Sequence, residues 1–219
     1  MAEKTFLLVC EGESDVYIFQ ALARHLSKAE IISLAPQLDA TSGTYPSHSF
    51  GHVLNWCADN RSRIPMLLDF KGAKALFLQM DTDIAGQANP DCIEQGQSAR
   101  HCCQEKLNQK LATNQEPPRC HYILPTQNTE TWLLAAHNFS ALNEQLEGIN
   151  NFELIDDTEQ RLIALGFKSK KGVNNNAPRK LNKRPANRYK RYGEQLASNL
   201  MLARQRCNEL DRLCSLLES

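Results

Sequence analysis

A chain of 219 residues is long enough for one large domain, or for one domain with a substantial extension. Its 25 Lys and Arg balance 25 Asp and Glu, so no global field recruits nucleic acid or a membrane surface, and any steering must come from local asymmetry. No apolar run reaches the roughly 18–20 residues that cross a bilayer, and the N-terminal stretch MAEKTFLLVCEG lacks a signal-peptide pattern, so the expectation is a cytoplasmic protein without membrane contact.

In chain order, residues 6–10 (FLLVC) form a continuous apolar run ended by Glu-Gly, the pattern of a buried strand. Val16, Phe19, Ala23 and Leu26 then recur at helical spacing, with Ser14 placed to cap the helix and Asp15 favourable at its positive end. Residues 31–34 read as a short strand, 37–49 as a loop rich in Gly, Pro, Ser and Thr, and 50–62 as a helix. Residues 75–80 are a second buried strand, followed at once by Asp81, Asp83 and a Gly turn. A helix over 98–113, a strand over 120–124 and a short helix over 129–137 complete an alternating order. That order implies an α/β fold with a mostly parallel sheet and helices on both faces.

The remainder differs. Residues 167–193 carry ten Lys or Arg and no acid, and two Pro, two Gly and an Asn triplet make the block loop-like or only locally helical. Beyond it Leu196, Leu200, Ala203, Cys207, Leu210, Cys214 and Leu217 step alternately by four and three, a heptad seam that either docks on its own domain or joins a second copy or a partner. The division expected is a domain over 1–150 and a basic loop with an amphipathic helical extension over 151–219.

The eight cysteines form no CxxC pair and no regular framework, and read as reduced core thiols. Cys92, His101, Cys102, Cys103, Cys120 and His121 fall in one region. Their spacing matches no structural zinc pattern.

The chemistry concentrates in the acids. In parallel α/β sheets ligands bind where loops converge at the carboxyl ends of strands. Here one strand delivers Glu11 and another delivers Asp81 and Asp83, so that neighbouring strands would gather three carboxylates in one crevice. Such acids repel and raise one another's pKa, a conflict that a hard divalent cation removes. A lone DxD or EGxxD is a common turn sequence; the two together, each directly after a buried strand, point to a site.

These residues carry a family resemblance. LLVCEGESDVYIF followed by LFLQMDTDIAG resembles the two signature motifs of Toprim domains: a strand ending in Glu-Gly with an Asp three residues past the Gly (Glu11, Gly12, Asp15), and a strand ending in Asp-x-Asp followed by Ala-Gly (Asp81, Asp83, Ala85, Gly86). It covers roughly residues 5–125, with seventy positions between Glu11 and Asp81 and an enlarged segment over 37–74. ILPTQNTETWLLAA resembles a feature of small stand-alone Toprim-like proteins of antiphage loci, in the manner of the overcoming-lysogenization-defect nucleases.

The resemblance implies a Toprim-like (Rossmann-like) sheet and a nucleic-acid phosphodiester substrate with one or two Mg²⁺ or Mn²⁺ ions. The chain lacks the extra modules of topoisomerases and primases, which leaves hydrolysis by metal-activated water, in a defence effector with an ATPase partner. Asp81 and Asp83 would hold metal, with Glu11 as ligand or general acid/base and Asp15, Gly12 and Gly86 in support. Glu130, or Glu13, would help with a second ion; the alternative for Glu130 is a solvated side chain on a helix pinned by Trp132 and Leu133. Lys180, with Arg179, would stabilise developing charge, and Arg179, Lys183, Arg184, Arg188, Lys190 and Arg191 would contact nucleic acid, with Tyr189 and Tyr192 as stacking surfaces. Rival readings are a catalytically silent Toprim-like subunit of an ATPase complex, an RNA-maturation ribonuclease, and a receiver domain.

Overall fold

The computed structural model describes residues 4–46, 49–137, 146, 149–170, 180–183 and 187–219. The order is β1 (Thr5–Val9), α1 (Glu13–Ser27), β2 (Glu30–Ala35), α2 (Phe50–Asn60), α3 (Ile64–Phe70), β3 (Ala75–Gln79), α4 (Ala85–Ala88), α5 (Pro90–Glu94), α6 (Ala99–Leu111), β4 (Cys120–Ile123) and α7 (Glu130–Ala135). A 3₁₀ turn (Phe152–Leu154) and α8 (Thr158–Ala164) follow, then β5 (Ser169–Lys170), β6 (Lys180–Leu181), α9 (Asn187–Ser198), α10 (Leu200–Arg206) and α11 (Asn208–Glu218).

The fold is α/β. β1 to β4 form one sheet in the order β2-β1-β3-β4, all neighbours parallel, and β5 and β6 form a separate antiparallel ribbon. The central strands are apolar except for Thr5 and Gln79 at their ends, because both faces are covered. Phe6, Leu8, Ala75 and Phe77 point into a core shared with α1, α7 and the C-terminal helices; Leu7, Val9, Leu76 and Leu78 point into a second core under α2, α3 and α6. Helix α1 starts differently from the expectation. Gly12, in extended backbone, takes the N-cap position and Ser14 lies inside the first turn with Asp15.

The outer edge of β4 meets side chains instead of a strand. Glu116 accepts from the Tyr122 amide at 3.1 Å and Glu209 from the Leu124 amide at 2.8 Å, while Arg100 donates to the Leu124 carbonyl at 2.7 Å and Arg212 to that of Tyr122. Arg100 and Arg212 each pair with the buried Glu209 at 2.9 Å.

The basic block is more ordered than its composition suggests: α9 begins inside it at Asn187. Tyr189 and Tyr192 are buried in the first core together with Leu196, Leu200, Ala203, Cys207, Leu210, Cys214 and Leu217. The heptad seam is thus spread over three helices and packed inward on this chain. A further difference concerns the thiols. Cys92 and Cys102 form a disulfide, while Cys10, Cys57, Cys103, Cys120, Cys207 and Cys214 are free and buried.

Helix α9 lies against α1 with Gly193 at the closest approach. A Cβ there would stand 3.0 Å from the Tyr17 carbonyl and 3.1 Å from the Ala21 Cβ. Gly193→Val should therefore push the helices apart and cost about 1–3 kcal/mol, roughly 2–12 °C in Tm for a chain of this size. Gly51→Ala, whose nearest neighbour would be the Ser49 hydroxyl at 3.6 Å, should leave Tm nearly unchanged in the same thermal melts.

Candidate functional site

After β1 the chain places β2 on one side and β3 on the other, so the crevice between the carboxyl ends of β1 and β3 is a topological switch point. Glu11 and Asp81 leave these two strands and meet there. The Asp81 amide donates to Glu11 Oε1 at 2.8 Å, the Glu11 amide to Gln79 Oε1 at 3.3 Å, and Gln79 Nε2 to Asp81 Oδ1 at 2.8 Å. Gln79 is fully buried, and its amide group orients both acids. The turn after Asp81 is tied to the loop after β4: Thr82 donates through its hydroxyl to the Pro125 and Thr126 carbonyls, and the Thr82 and Asp83 amides donate to the Gln127 carbonyl at 3.0 and 3.3 Å.

That second loop brings in a further layer. The buried Thr129 hydroxyl donates to Asp15 Oδ1 at 2.7 Å. Glu130, 1% exposed, accepts from the Tyr189 hydroxyl at 2.9 Å and pairs with Lys183 Nζ at 2.6 Å. The Lys183 side chain is 45% exposed, so its ammonium spans from the buried acid to the surface.

The electrostatics follow from this crowding. Burial, then repulsion from Asp15 and Asp83, pushes Glu11 up to about 7, against the pull of the Asp81 amide. Burial likewise raises Asp15 to about 6, opposed by Lys183 and the Thr129 hydroxyl. Asp81 is raised well above the usual carboxylate range by burial and by Asp15, Glu11 and Glu130, and Asp83 is raised by burial. Glu130 alone of the five is lowered, because the charge and hydrogen bond of Lys183 outweigh its burial. Lys183 is raised in turn by Glu130 and Asp15.

Most of the expected acids come together: Glu11, Asp15, Asp81, Asp83 and Glu130 all feel one another's charge or that of Lys183. Glu130 is buried, not solvated, and Lys183 already supplies its counter-charge. Glu13 accepts from the Tyr45 amide at 3.1 Å and the Tyr17 hydroxyl at 3.3 Å, so it anchors the loop before α2. Gly12 is the cap of α1; Gly86 has open space around it and meets no steric demand. Lys180 is exposed on β6 opposite Lys170, and it is Lys183, expected on a nucleic-acid backbone, that reaches the acids. Lys190 and Arg191 are exposed and Arg188 is half-buried, while Arg179 and Arg184 lie outside the described residues. Tyr189 and Tyr192, 1% and 8% exposed, are not stacking surfaces.

Sequence reasoning missed Gln79, Thr129 and the role of Lys183. A polar residue ending an otherwise apolar strand (ALFLQ) was the available signal for Gln79. Nothing local marks Lys183, which is 53 positions from Glu130 (183 − 130).

The donor set suits a hard cation. Five carboxylates, four of them with raised pKa, offer only oxygen ligands in a crevice where a divalent ion would relieve their repulsion. By donor type Glu11, Asp81 and Asp83 are the residues that could hold Mg²⁺ or Mn²⁺, although their oxygens are not drawn together to coordination distance. Among the described residues, the group whose ligand atoms all lie within 4.8 Å of one another is a different one, Cys92, His101 and Glu105.

No protein-family model matches the chain, and no curated protein or solved structure was found to match it. No helix among the described residues is long and apolar enough to cross a membrane.

The raised pKa of Glu11 fixes a pH signature. The folded protein holds this proton more tightly than the unfolded chain, so the contribution is fully present below the ordinary value of 4.5 and lost as pH rises through about 7. In the presence of a chelator, Glu11→Gln should melt near the parent at acid pH and above it beyond about pH 7; thermal melts across pH check this. Lys183→Met, which leaves Glu130 buried without its cation, should cost about 2 kcal/mol. That is less than a fully buried pair would lose, because Lys183 is partly solvated.

Proposed function

We propose that the chain is a Toprim-like nuclease that hydrolyses phosphodiester bonds in nucleic acid with Mg²⁺ or Mn²⁺. The observation that carries this reading is the contact of Glu11 with the Asp81 amide at the β1/β3 switch point, with further carboxylates around it. A metal-stabilised acid cluster explains why a fold would keep so many like charges in a buried crevice.

A bound divalent cation would supply Lewis acidity at a phosphoryl oxygen and a more acidic water. The chain's own residues do the rest. Gln79 fixes the rotation of Asp81 and the backbone of Glu11, so both carboxylates face the crevice without reorganising. Glu11, at the head of the crevice, would serve as a metal ligand or, left outside the coordination sphere, as the group that accepts and returns a proton. Asp15, held by Thr129, keeps the rear of the crevice negative. Lys183 carries a fixed positive charge at the surface side, where it can face a phosphate as negative charge develops. Exposed Lys180, Lys190 and Arg191 offer backbone contacts by charge alone, which makes binding salt-sensitive and weakly selective for sequence.

The strand order β2-β1-β3-β4 is shared with receiver-like sheets. The nuclease reading is preferred because Lys183 comes from beyond the β5–β6 ribbon and is committed to Glu130, and because the acids follow β1 as Glu-Gly. One observation favours a second reading, a catalytically silent subunit of an ATPase complex: Glu11 and Asp81 already satisfy hydrogen bonds within the chain.

Purified protein incubated with single- and double-stranded DNA and RNA and Mn²⁺ or Mg²⁺ tests both. Cleavage should fall by at least about 10²-fold in Glu11→Gln and Asp81→Asn and by a similar factor in Lys183→Met. Cleavage that persists in the two acid variants overturns the mechanism. Metal binding that Asp81→Asn abolishes, without cleavage of any substrate, supports the silent subunit instead.

A further inference from the structure

A second cluster of chemistry-bearing side chains lies between α5 and α6 and has no part in the acid crevice's mechanism. Cys92 on α5 and Cys102 on α6 are joined by a disulfide, with Cα atoms 5.6 Å apart. On α6, His101 and Glu105 are one turn apart with Nε2 and Oε1 at 3.4 Å. One ligand atom from each of Cys92, His101 and Glu105 lies within 4.8 Å of the others; the Cys102 sulfur is bonded to that of Cys92 and is not itself part of that close group.

We propose that these four residues form a metal site in the dithiol form of the protein, taking a borderline divalent cation of the Zn²⁺ class. The donors are two thiolates, an imidazole and a carboxylate, the set that such ions bind tetrahedrally. With metal–sulfur bonds of about 2.3 Å, the edge of the donor tetrahedron is about 3.8 Å. Three of the donors are already gathered near that scale; on reduction the Cys102 sulfur has to part from Cys92 and turn toward His101 and Glu105 to complete the set. The helix brings His101 and Glu105 together, one turn apart on α6, whose first turn is fixed by the Ser98 cap on the His101 amide at 3.2 Å, while Cys102 points inward beside them toward Cys92. Both sulfurs are buried while His101 and Glu105 are about half exposed, so an ion enters from solvent past the imidazole and carboxylate. Spacing alone hides the site, because one ligand comes from α5 and three from a single turn of α6.

The disulfide and metal forms exclude each other. A dithiol reductant gives the S–S bond two electrons and two protons, producing two thiols whose protons leave as the ion binds. A peroxide takes two electrons from the paired thiolates; its O–O bond breaks to two hydroxides, the S–S bond re-forms and the ion departs. Either form links α5 to α6, and α5 follows the Asp81–Asp83 turn by way of α4.

Reduced full-length protein titrated with Co²⁺ under anaerobic conditions tests the site. Expected are one equivalent of thiolate-ligated Co²⁺ with charge-transfer and tetrahedral ligand-field bands, distinct from any ion in the acid crevice, which gives no thiolate band; loss of that signal in Cys92→Ser and in the disulfide form; and its discharge by hydrogen peroxide. His101→Ala and Glu105→Gln, at half-exposed positions, should keep their circular dichroism and lose at least about tenfold in affinity. Asp81→Asn should bind Co²⁺ with the same thiolate signature, which separates this site from the acid crevice. Absence of thiolate charge transfer in the reduced parent, or a signal at full affinity in both His101→Ala and Glu105→Gln, overturns the proposal.

Discussion

Repulsion among carboxylates at the ends of β1 and β3 is the constraint around which the rest of the molecule is arranged. Glu11, Asp15, Asp81 and Asp83 are each driven toward protonation by burial and by neighbouring acids. A chain selected only for stability would replace such a group with apolar residues, since buried charge is costly unless compensated. Instead the fold surrounds the acids with partial compensation: the Asp81 amide on Glu11, the Gln79 side chain on Asp81, the Thr129 hydroxyl on Asp15 and Lys183 on Glu130. These contacts hold the carboxylates in place without neutralising them all.

The compensation comes from both halves of the sequence. Lys183 and Tyr189 belong to the C-terminal part yet complete the environment of Glu130 on α7. Farther along, Glu153 accepts from the Trp132 indole at 2.9 Å and from the Glu209 amide, linking α7 to the start of α11. Burial raises the Glu153 pKa, so this joint is itself a buried acid satisfied by donors. The close approach of α9 to α1 at Gly193 brings the C-terminal helices onto the helix that carries Asp15. The helix that carries Asp15 and the C-terminal helices therefore pack into one shared hydrophobic core.

The strands were legible because two covered faces leave apolar runs that need no periodicity to be seen, and because each of β1 and β3 ends at an acid. The position of Glu11, Asp81 and Asp83 just past the ends of β1 and β3 was legible for the same reason. The basic block misled, since its charge drew attention from Tyr189, Tyr192, Leu196 and Leu200, whose steps of three, four and four mark the buried face of α9 and α10. Lys180 and Lys183 are indistinguishable by composition; only the tertiary path after β6 decides which one faces Glu130. The Cys92–Cys102 link was illegible because nothing in the ten-residue separation states that α5 folds back on α6.

The sealed edge of β4 bears on how copies of this protein can meet. A parallel sheet ending in a bare strand invites another strand to add to it, within a complex or in an aggregate. Here the outward-facing amides and carbonyls of Tyr122 and Leu124 are engaged by Glu116, Arg212, Glu209 and Arg100. An incoming strand would have to displace a charged network anchored on a buried glutamate before gaining its first backbone bond. Growth of the sheet on that side is blocked by electrostatics, whereas β2 forms the opposite margin of the sheet.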